Sequence, residues 1–542
     1  MTPWWKEQAV YQIYPMSFCD SNGDGMGDIP GIISKLPYLK SLGVGILWLS
    51  PVYRSPGEDN GYDISDYCDI DPKFGTLADM DELIQKAKAL GLRIVMDLVI
   101  NHTSSQHFWF QKSRRREAPY EDYYIWRDDR SKQRRGKRPP NNWTSFFGGG
   151  AWTFDEVRGQ WYLHLFAKGQ PDLNYRNPAV IDAVEQVMDF WLARGVAGFR
   201  CDVINLLWKD SLKNGFPKGA LVGSEYYISR PGCHELLKRF RREVLSKYDC
   251  FTVGETVFVS PKKARALTDP ERGELDMVFS FEHMNADCFL VKWLPRKFSA
   301  QRFFKSLIKW QNKLPWNAVY FENHDQPRSV SRFGDGSPAS AKAILTLLLT
   351  LRGTPFVYQG EELGMTNFDF TSMSDIQDVE SKNMVPTLKK LGLSDEKIFR
   401  RMQHASRDNA RTPMQWTAGP QGGFTTGTPW LKVNGNHVTV NAEAEEGDPD
   451  SVLNWFRTLM AYRNGSDVLK QGSFRLISRE KSWIKIERRL GDERVIVAAN
   501  WSDKAVRLPL VGYPILSTHG TRKLDCQLQP WEAVLIEEKP RQ

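Results

Sequence analysis

The chain has 542 residues, of which 41% are hydrophobic and 25% charged, the profile of a soluble globular protein too long for one ordinary core. Its formal charge of +8 invites a nucleic-acid reading, but the dense basic runs at 113–116 and 130–138 read as solvated loop with no recognition motif. No apolar run approaches a membrane span, and no apolar signal region follows Met1–Lys6, so a cytoplasmic protein without membrane or nucleic-acid partners is expected.

In chain order, short apolar runs alternate with amphipathic stretches. Residues 9–15 read as a strand, 32–42 as a helix, 44–50 as a strand, 79–90 as a helix and 92–100 as a strand. After an interruption, 179–194 is helical and leads into a strand at 198–202. A helix at 233–246, strands at 251–254 and 277–281, and a helix at 302–314 follow. The series ends with a strand at 318–322, a helix at 339–351 and a strand at 354–358. Eight strands with helices between them predict an α/β fold, a closed parallel (β/α)8 TIM barrel. An open doubly wound sheet is the runner-up, but no Gly-rich phosphate loop follows the first strand.

Two segments break the rhythm. Residues 101–170, rich in Trp, Phe, Arg and Gly, are too long for a βα loop and read as a subdomain inserted after strand 3. Residues 366–449 form a second, irregular excursion. The barrel is therefore assigned to 1–100 and 171–464. The β-rich runs of 465–542 are assigned to a C-terminal all-β domain, a small β-sandwich. Seven scattered cysteines, an odd number without a CxxC pair, argue for reduced thiols.

A barrel places its functional groups at the C-terminal ends of its strands. Those ends read Asp97 to His102, Arg200-Cys201-Asp202, Gly254-Glu255-Thr256 and Asn323-His324-Asp325. Arg200 and Asp202 share one face of their strand, so the guanidinium keeps the carboxylate ionised. Glu255 has no such cation in its own motif and is expected to stay protonated near neutrality. Each acid alone could be half of a buried ion pair; the set points to carboxylate chemistry. Twelve per cent aromatic residues, 19 of them Trp, offer platforms for sugar rings.

These four strand ends, in this order, resemble the signature regions of the α-amylase superfamily, glycoside hydrolase family 13. Gln170 to Asn174, the start WWKEQAVYQIYPMSF and Arg407 to Trp416 resemble its oligo-1,6-glucosidase branch, so the resemblance covers essentially the whole chain. It implies a retaining, exo-acting α-glucosidase that releases glucose from short α-glucosides, with a small oligosaccharide as partner and a monomer or small homo-oligomer as assembly. Asp202 would be the nucleophile, Glu255 the general acid/base, and Asp325 the residue holding sugar hydroxyls. Asp59 would grip the terminal glucose with Arg411 as its ionic partner, Tyr62 would stack on the ring, and His102 and His324 would hydrogen-bond it. Arg200 would support the nucleophile, and Phe147 and Phe166 would be walls or core. Val203 resembles the residue of α-1,6-preferring members, whereas Val257 stands where some of them carry Trp or Pro. Trehalose-6-phosphate hydrolases, α-1,4-preferring glucosidases and sucrose-isomerising relatives share nearly all these motifs. The non-catalytic heavy chains of amino-acid transporters share the fold, but need a membrane span and typically lack part of the acid set.

The loop 20–28 has oxygen-bearing residues at alternating positions and Gly25 at its turn, which suits a hard cation, although Gly31 stands where an EF-hand needs Glu. The resemblance implies structural Ca²⁺ held by Asp20, Asn22, Asp24, the Met26 carbonyl and Asp28. An Asx-rich turn without metal is the alternative.

Overall fold

The computed structural model describes residues 2–129, 137–217, 221–289 and 291–538; most of the basic run 130–138 lies outside them. Eight short strands, apolar except for a few inward polar residues, close into a parallel barrel. They are β1 (Val10–Ile13), β2 (Ile46–Leu49), β3 (Arg93–Leu98), β4 (Gly198–Cys201), β5 (Phe251–Glu255), β6 (Met277–Phe279), β7 (Ala318–Val319) and β8 (Thr354–Tyr358). Closure is visible at β1, where Val10 faces Ile46 of β2 on one side and Phe356 of β8 on the other. The surrounding helices start where polar caps and prolines allow it. Asn177 precedes Pro178–Ala193 and Ser337 precedes Pro338–Thr350, each accepting a backbone N–H of the first turn.

Some elements are shorter or more divided than the sequence pattern suggests. The helix expected at 32–42 is two, Ile29–Ser34 and Leu36–Ser41, broken at Lys35. β7 ends at Val319 because the next carbonyl, on Tyr320, faces the buried His283 Nε2 at 2.7 Å instead of a ladder partner. The excursion after β8 is not irregular throughout. It carries helices Val379–Lys390 and Asp395–Ala405, whose Leu388, Ile398 and Met402 bury against Trp293 and Phe370 in a satellite core.

Between β3 and β4 lies an antiparallel sheet in which Gln160–Leu163 sits between Trp126–Arg127 and Trp152–Asp155. At the C-terminus, five antiparallel strands follow the order Ser473–Arg479, Trp483–Leu490, Glu493–Asn500, Ala533–Glu538, Leu516–Ser517. Alternation assigns the faces of this sheet. Val495, Val497 and Ala499 join the barrel core, while Ile496 and Ala498 pack with Leu508, Leu510, Leu524 and Leu528 of the two-stranded ribbon behind. Among the described residues no helix is long and apolar enough to cross a membrane. All seven cysteines are unpaired.

One glycine bears directly on the barrel mouth. Gly198 opens β4 at φ +144°, and a Cβ there would meet the Phe251 carbonyl oxygen at 2.0 Å. Its absence lets β4 lie against β5 in a register that puts Arg200 opposite Val253 on one side and Asp97 of β3 on the other.

Candidate active site

The centre of the site is a guanidinium shared by three carboxylates. Arg200 Nη1 donates to Asp97 Oδ1 at 2.6 Å and to Asp202 Oδ1 at 2.7 Å, while Nη2 donates to Glu255. Asp202 lies just beyond β4, held by its N–H on the Leu98 carbonyl, and its carboxyl neighbours that of Glu255 across the shared guanidinium. Glu255 therefore does have a fixed cation, supplied by the neighbouring strand rather than by its own motif. Nor does Arg200 by itself set the charge of Asp202. Burial outweighs the guanidinium and raises Asp202, like Asp97, to about 6. Burial also raises Glu255, to about 7, and the charges of Asp202 and Asp325 add to the shift. Of the three acids around this one cation, Glu255 is raised furthest and keeps its proton closest to neutrality.

Asp325 sits in the opposite electrostatic setting. Arg411 Nη2 reaches its Oδ1 at 2.7 Å and Arg407 Nη1 at 3.3 Å, and His324 lies 3.3 Å from Oδ2. Although burial pushes the other way, these groups hold the carboxyl well below the usual Asp range. Its side chain is 30% exposed, against 10% for Asp202 and 14% for Glu255, so all three open on the barrel mouth.

The partner of Asp59 differs from the one expected. Arg407, not Arg411, pairs with Asp59, at 3.0 Å, and also binds Asp378 at 2.7 Å. Arg411 instead secures Asp325 and the His324 carbonyl. Both arginines belong to the same decapeptide four residues apart, and nothing in their spacing distinguishes them. Gln170 is a further group that sequence reasoning assigned no role. Its Nε2 lies 3.2 Å from Asp59 Oδ2, the Tyr62 carbonyl and His102 Nε2.

Tyr62 and His324 lie nearly parallel with ring centres 5.3 Å apart, joined edge to edge by the Tyr62 hydroxyl, which meets His324 Nε2 at 2.7 Å and Asp97 Oδ2 at 3.1 Å. Burial lowers the pKa of both His102 and His324 and leaves them neutral hydrogen-bonding groups. Phe166 packs on the His102 ring at 5.2 Å, and Phe147 lies edge-on to Phe166 with the Arg407 guanidinium 5.5 Å from its ring. Both phenylalanines are half-buried and face residues of the mouth.

Val203, directly after Asp202, adopts φ +36° and ψ +38°, a left-handed conformation that a β-branched residue takes only under constraint. Its side chain is buried in a cluster with Leu206 and Tyr227 against which Val257 and Phe166 also pack. Asn205 ties the two loops together, donating from Nδ2 to the Val257 carbonyl at 3.0 Å and accepting the Val257 N–H at 3.1 Å.

Behind the histidines, Lys209 Nζ lies 2.6 Å from Asp172 Oδ2 and 3.0 Å from Asn101 Oδ1, with both ends of the ion pair buried. Asp172 also accepts the Leu165 N–H, so this pair joins the end of β3 to the inserted sheet. The loop 20–28 lies elsewhere. Asp20 accepts the N–H groups of Asn22, Gly23 and Gly25 and the Thr425 hydroxyl; Asp24 accepts Met26 N–H, and Asp28 caps the helix from Ile29. Its donors are all hard oxygens, but among the described residues no three acidic, His or Cys side chains gather closely enough to hold an ion.

The catalytic-domain model of the α-amylase family matches residues 12–472. The chain belongs to the α-amylase family. It is 47% identical to the oligo-1,6-glucosidase of Parageobacillus thermoglucosidasius, over 98% of each chain, and 44% identical to the trehalose-6-phosphate hydrolase of Bacillus subtilis (strain 168), over 94% of this chain and 92% of that one. Its fold superposes on the crystal structure of isomaltulose synthase from Klebsiella sp. LX3 with a TM-score of 0.94 at 39% identity, covering 98% of this chain and 99% of that one. Within the family it is a glycoside hydrolase of the oligo-1,6-glucosidase and α-glucosidase type.

The Lys209 ion pair supplies a test of how the insert is held. Lys209→Met leaves Asp172 buried and unpaired, which should cost about 3–5 kcal/mol. Thermal melting should show a clear drop in Tm, partly recovered in the double variant Lys209→Met/Asp172→Leu. An unchanged Tm in the single variant would show that the pair does not anchor the insert.

Proposed function

We propose that this family member is a retaining, exo-acting α-glucosidase that removes glucose from the non-reducing end of short α-1,6-linked oligosaccharides such as isomaltose and panose. The observation that carries the reading is the arrangement at Arg200. Two carboxyls held by the two Nη atoms of one guanidinium are too close for the separation of roughly 6.5–9.5 Å that an inverting enzyme needs for its water.

In this mechanism Glu255 donates its proton to the glycosidic oxygen as the bond to the anomeric carbon breaks. Asp202 Oδ attacks that carbon and forms a glucosyl ester. The leaving sugar departs, Glu255 takes a proton from water, and the water oxygen releases glucose from Asp202. Asp325, kept anionic by Arg407 and Arg411, accepts hydrogen bonds from sugar hydroxyls and offsets positive charge at the ring. Asp59, Arg407, Gln170 and His102 close the glucose end, which favours exo-action. Val203, with its constrained backbone and its packing beside Val257, shapes the leaving-group side and supports the α-1,6 preference; similarity to oligo-1,6-glucosidases supports the same choice.

The two carboxyls fix a pH profile. Turnover needs Asp202 ionised and Glu255 protonated. As pH falls through about 6 Asp202 gains a proton, and as pH rises through about 7 Glu255 loses one. The kcat/KM profile should therefore be a narrow bell whose two apparent values belong to the pair. A profile flat from pH 5 to 9 would contradict the assignment.

Assayed side by side, isomaltose and panose should be turned over in preference to maltose, sucrose and trehalose 6-phosphate, and Asp202→Ala should abolish all of these activities. Preferred turnover of the phosphate ester would overturn the linkage assignment while leaving the nucleophile in place. Structural Ca²⁺ in the loop 20–28 is proposed on donor type alone. EDTA should lower Tm and leave kcat/KM at 25 °C unchanged, and a Tm indifferent to both EDTA and added Ca²⁺ would remove the ion from the proposal.

A further inference from the structure

Tyr320 is a buried group of the barrel that the mechanism leaves without a task. Trp48 of β2, Phe279 of β6 and Phe356 of β8 come from separate parts of the barrel wall, yet their ring centres lie within 6.3 Å of one another. Their side chains therefore point into the barrel. The register sets Glu255 of β5 opposite Phe279, and Phe279 opposite Ala318 of β7. Tyr320, two residues beyond Ala318, continues on the same inward side. Its ring lies edge-on to Phe279 at 5.2 Å and to Phe281 at 6.1 Å. Tyr320 and Glu255 thus flank one phenylalanine on the inner wall, at the end of the barrel that carries the acids.

The Tyr320 hydroxyl has no hydrogen-bond partner among the described residues, although the residue is only 1% exposed. A buried O–H in that condition is destabilising, so an interaction made in another state of the site would offset it. Most groups around it are committed elsewhere. His283, kept neutral by burial, faces the Tyr320 carbonyl. Arg332 donates to Asp287, Gln326 and the Met284 carbonyl. Asp325 is held by Arg407 and Arg411, and Arg200 spans Asp97, Asp202 and Glu255. Glu255 is the exception, since its one donor, Arg200 Nη2, takes only Oε2. Burial keeps the phenol protonated, and of the charges around it the Glu255 carboxylate acts most strongly, ahead of Arg332, Arg200 and Asp325.

On the assignment of Glu255 as acid/base, we propose that the Tyr320 hydroxyl is a positioning group for it, donating a hydrogen bond to the Glu255 carboxylate once the proton has left. In the first step that proton goes to the glycosidic oxygen while the Asp202 charge is consumed in the ester, so Glu255 becomes the new anion beside Arg200. A second donor then matches its free oxygen, and the bond tightens only in this half of the cycle. Tyr320 keeps its own proton throughout, and Glu255 recovers one from water.

The test is the kcat/KM pH profile of Tyr320→Phe, which removes only the hydroxyl and keeps the ring contacts. Isomaltose and maltose are both used, so that linkage preference does not enter. Losing a donor to the ionised form makes Glu255 harder to ionise. The basic limb, near pH 7 in the parent, should therefore move up by about one pH unit, with the acidic limb moving less. A variant with equal or higher Tm and a basic limb in place would show a hydroxyl that is merely unsatisfied, and would overturn the inference while leaving Glu255 as the acid. A uniform loss of rate with both limbs in place, or a basic limb that moves down, would overturn it as well. A parent profile with no basic limb would instead remove the acid role of Glu255, and this inference with it.

Discussion

One buried guanidinium organises the mouth of this barrel. Arg200 has donors on both Nη atoms in a fixed fork, so it can bridge the ends of β3, β4 and β5 at once, where an ammonium would have no rigid geometry to impose. The arrangement is electrostatically short of positive charge by design of the fold rather than by loss of a partner. At the effective dielectric of such sites, two carboxylates about 4 Å apart repel by about 4 kcal/mol, so a proton is retained where it is cheapest to keep. Glu255, raised further than Asp202, keeps it. The proposed acid and the proposed nucleophile then arise from one arrangement.

Asp325 shows the same physics with the ratio reversed. Two arginines and a histidine face one carboxylate, which stays ionised although desolvation pushes the other way. The count of cations per acid, more than burial, separates the roles these side chains can take. Arg407 has a further consequence. By binding Asp59 from the loop after β2, Asp325 from beyond β7 and Asp378 from the excursion after β8, it makes a segment distant in sequence part of the wall of the site.

The barrel was legible because buried parallel strands are short apolar runs with turns at both ends, and the acids were legible because they sit at those ends. β8 matches its expected bounds residue for residue, and β7 does not, since a histidine from another segment claims the next carbonyl. The site was legible within each motif and not between motifs. Glu255 reads as lacking a cation when only Val253 to Thr256 is inspected, because its cation comes from β4. Arg407 and Arg411 are equivalent on paper, and only the fold decides which meets Asp59 and which meets Asp325 alone. Lys209 carries no pattern of its own; its partners are more than thirty residues away and become neighbours only when the insert folds back. Gln170 was visible as part of a motif, but its contact with Asp59 was not.

The same distinction bears on Val203. As a letter in the sequence it is a branched side chain beside the proposed nucleophile, and its size is the property the letter conveys. In the fold its backbone is left-handed, so the side chain is turned into a cluster with Leu206 and Tyr227 and is 6% exposed. A residue so covered acts on a leaving group chiefly by fixing the path of the loop that bears it. Asn205 then transmits that path to Val257 through two hydrogen bonds between its side-chain amide and the Val257 backbone. Substituting Val203 by a smaller residue would therefore relax two loops at once, and a change at Val257 could compensate for it. On the proposed reading, linkage preference would rest on the Val203–Asn205–Val257 unit, so that the residue after the proposed nucleophile, taken alone, is an incomplete guide to it.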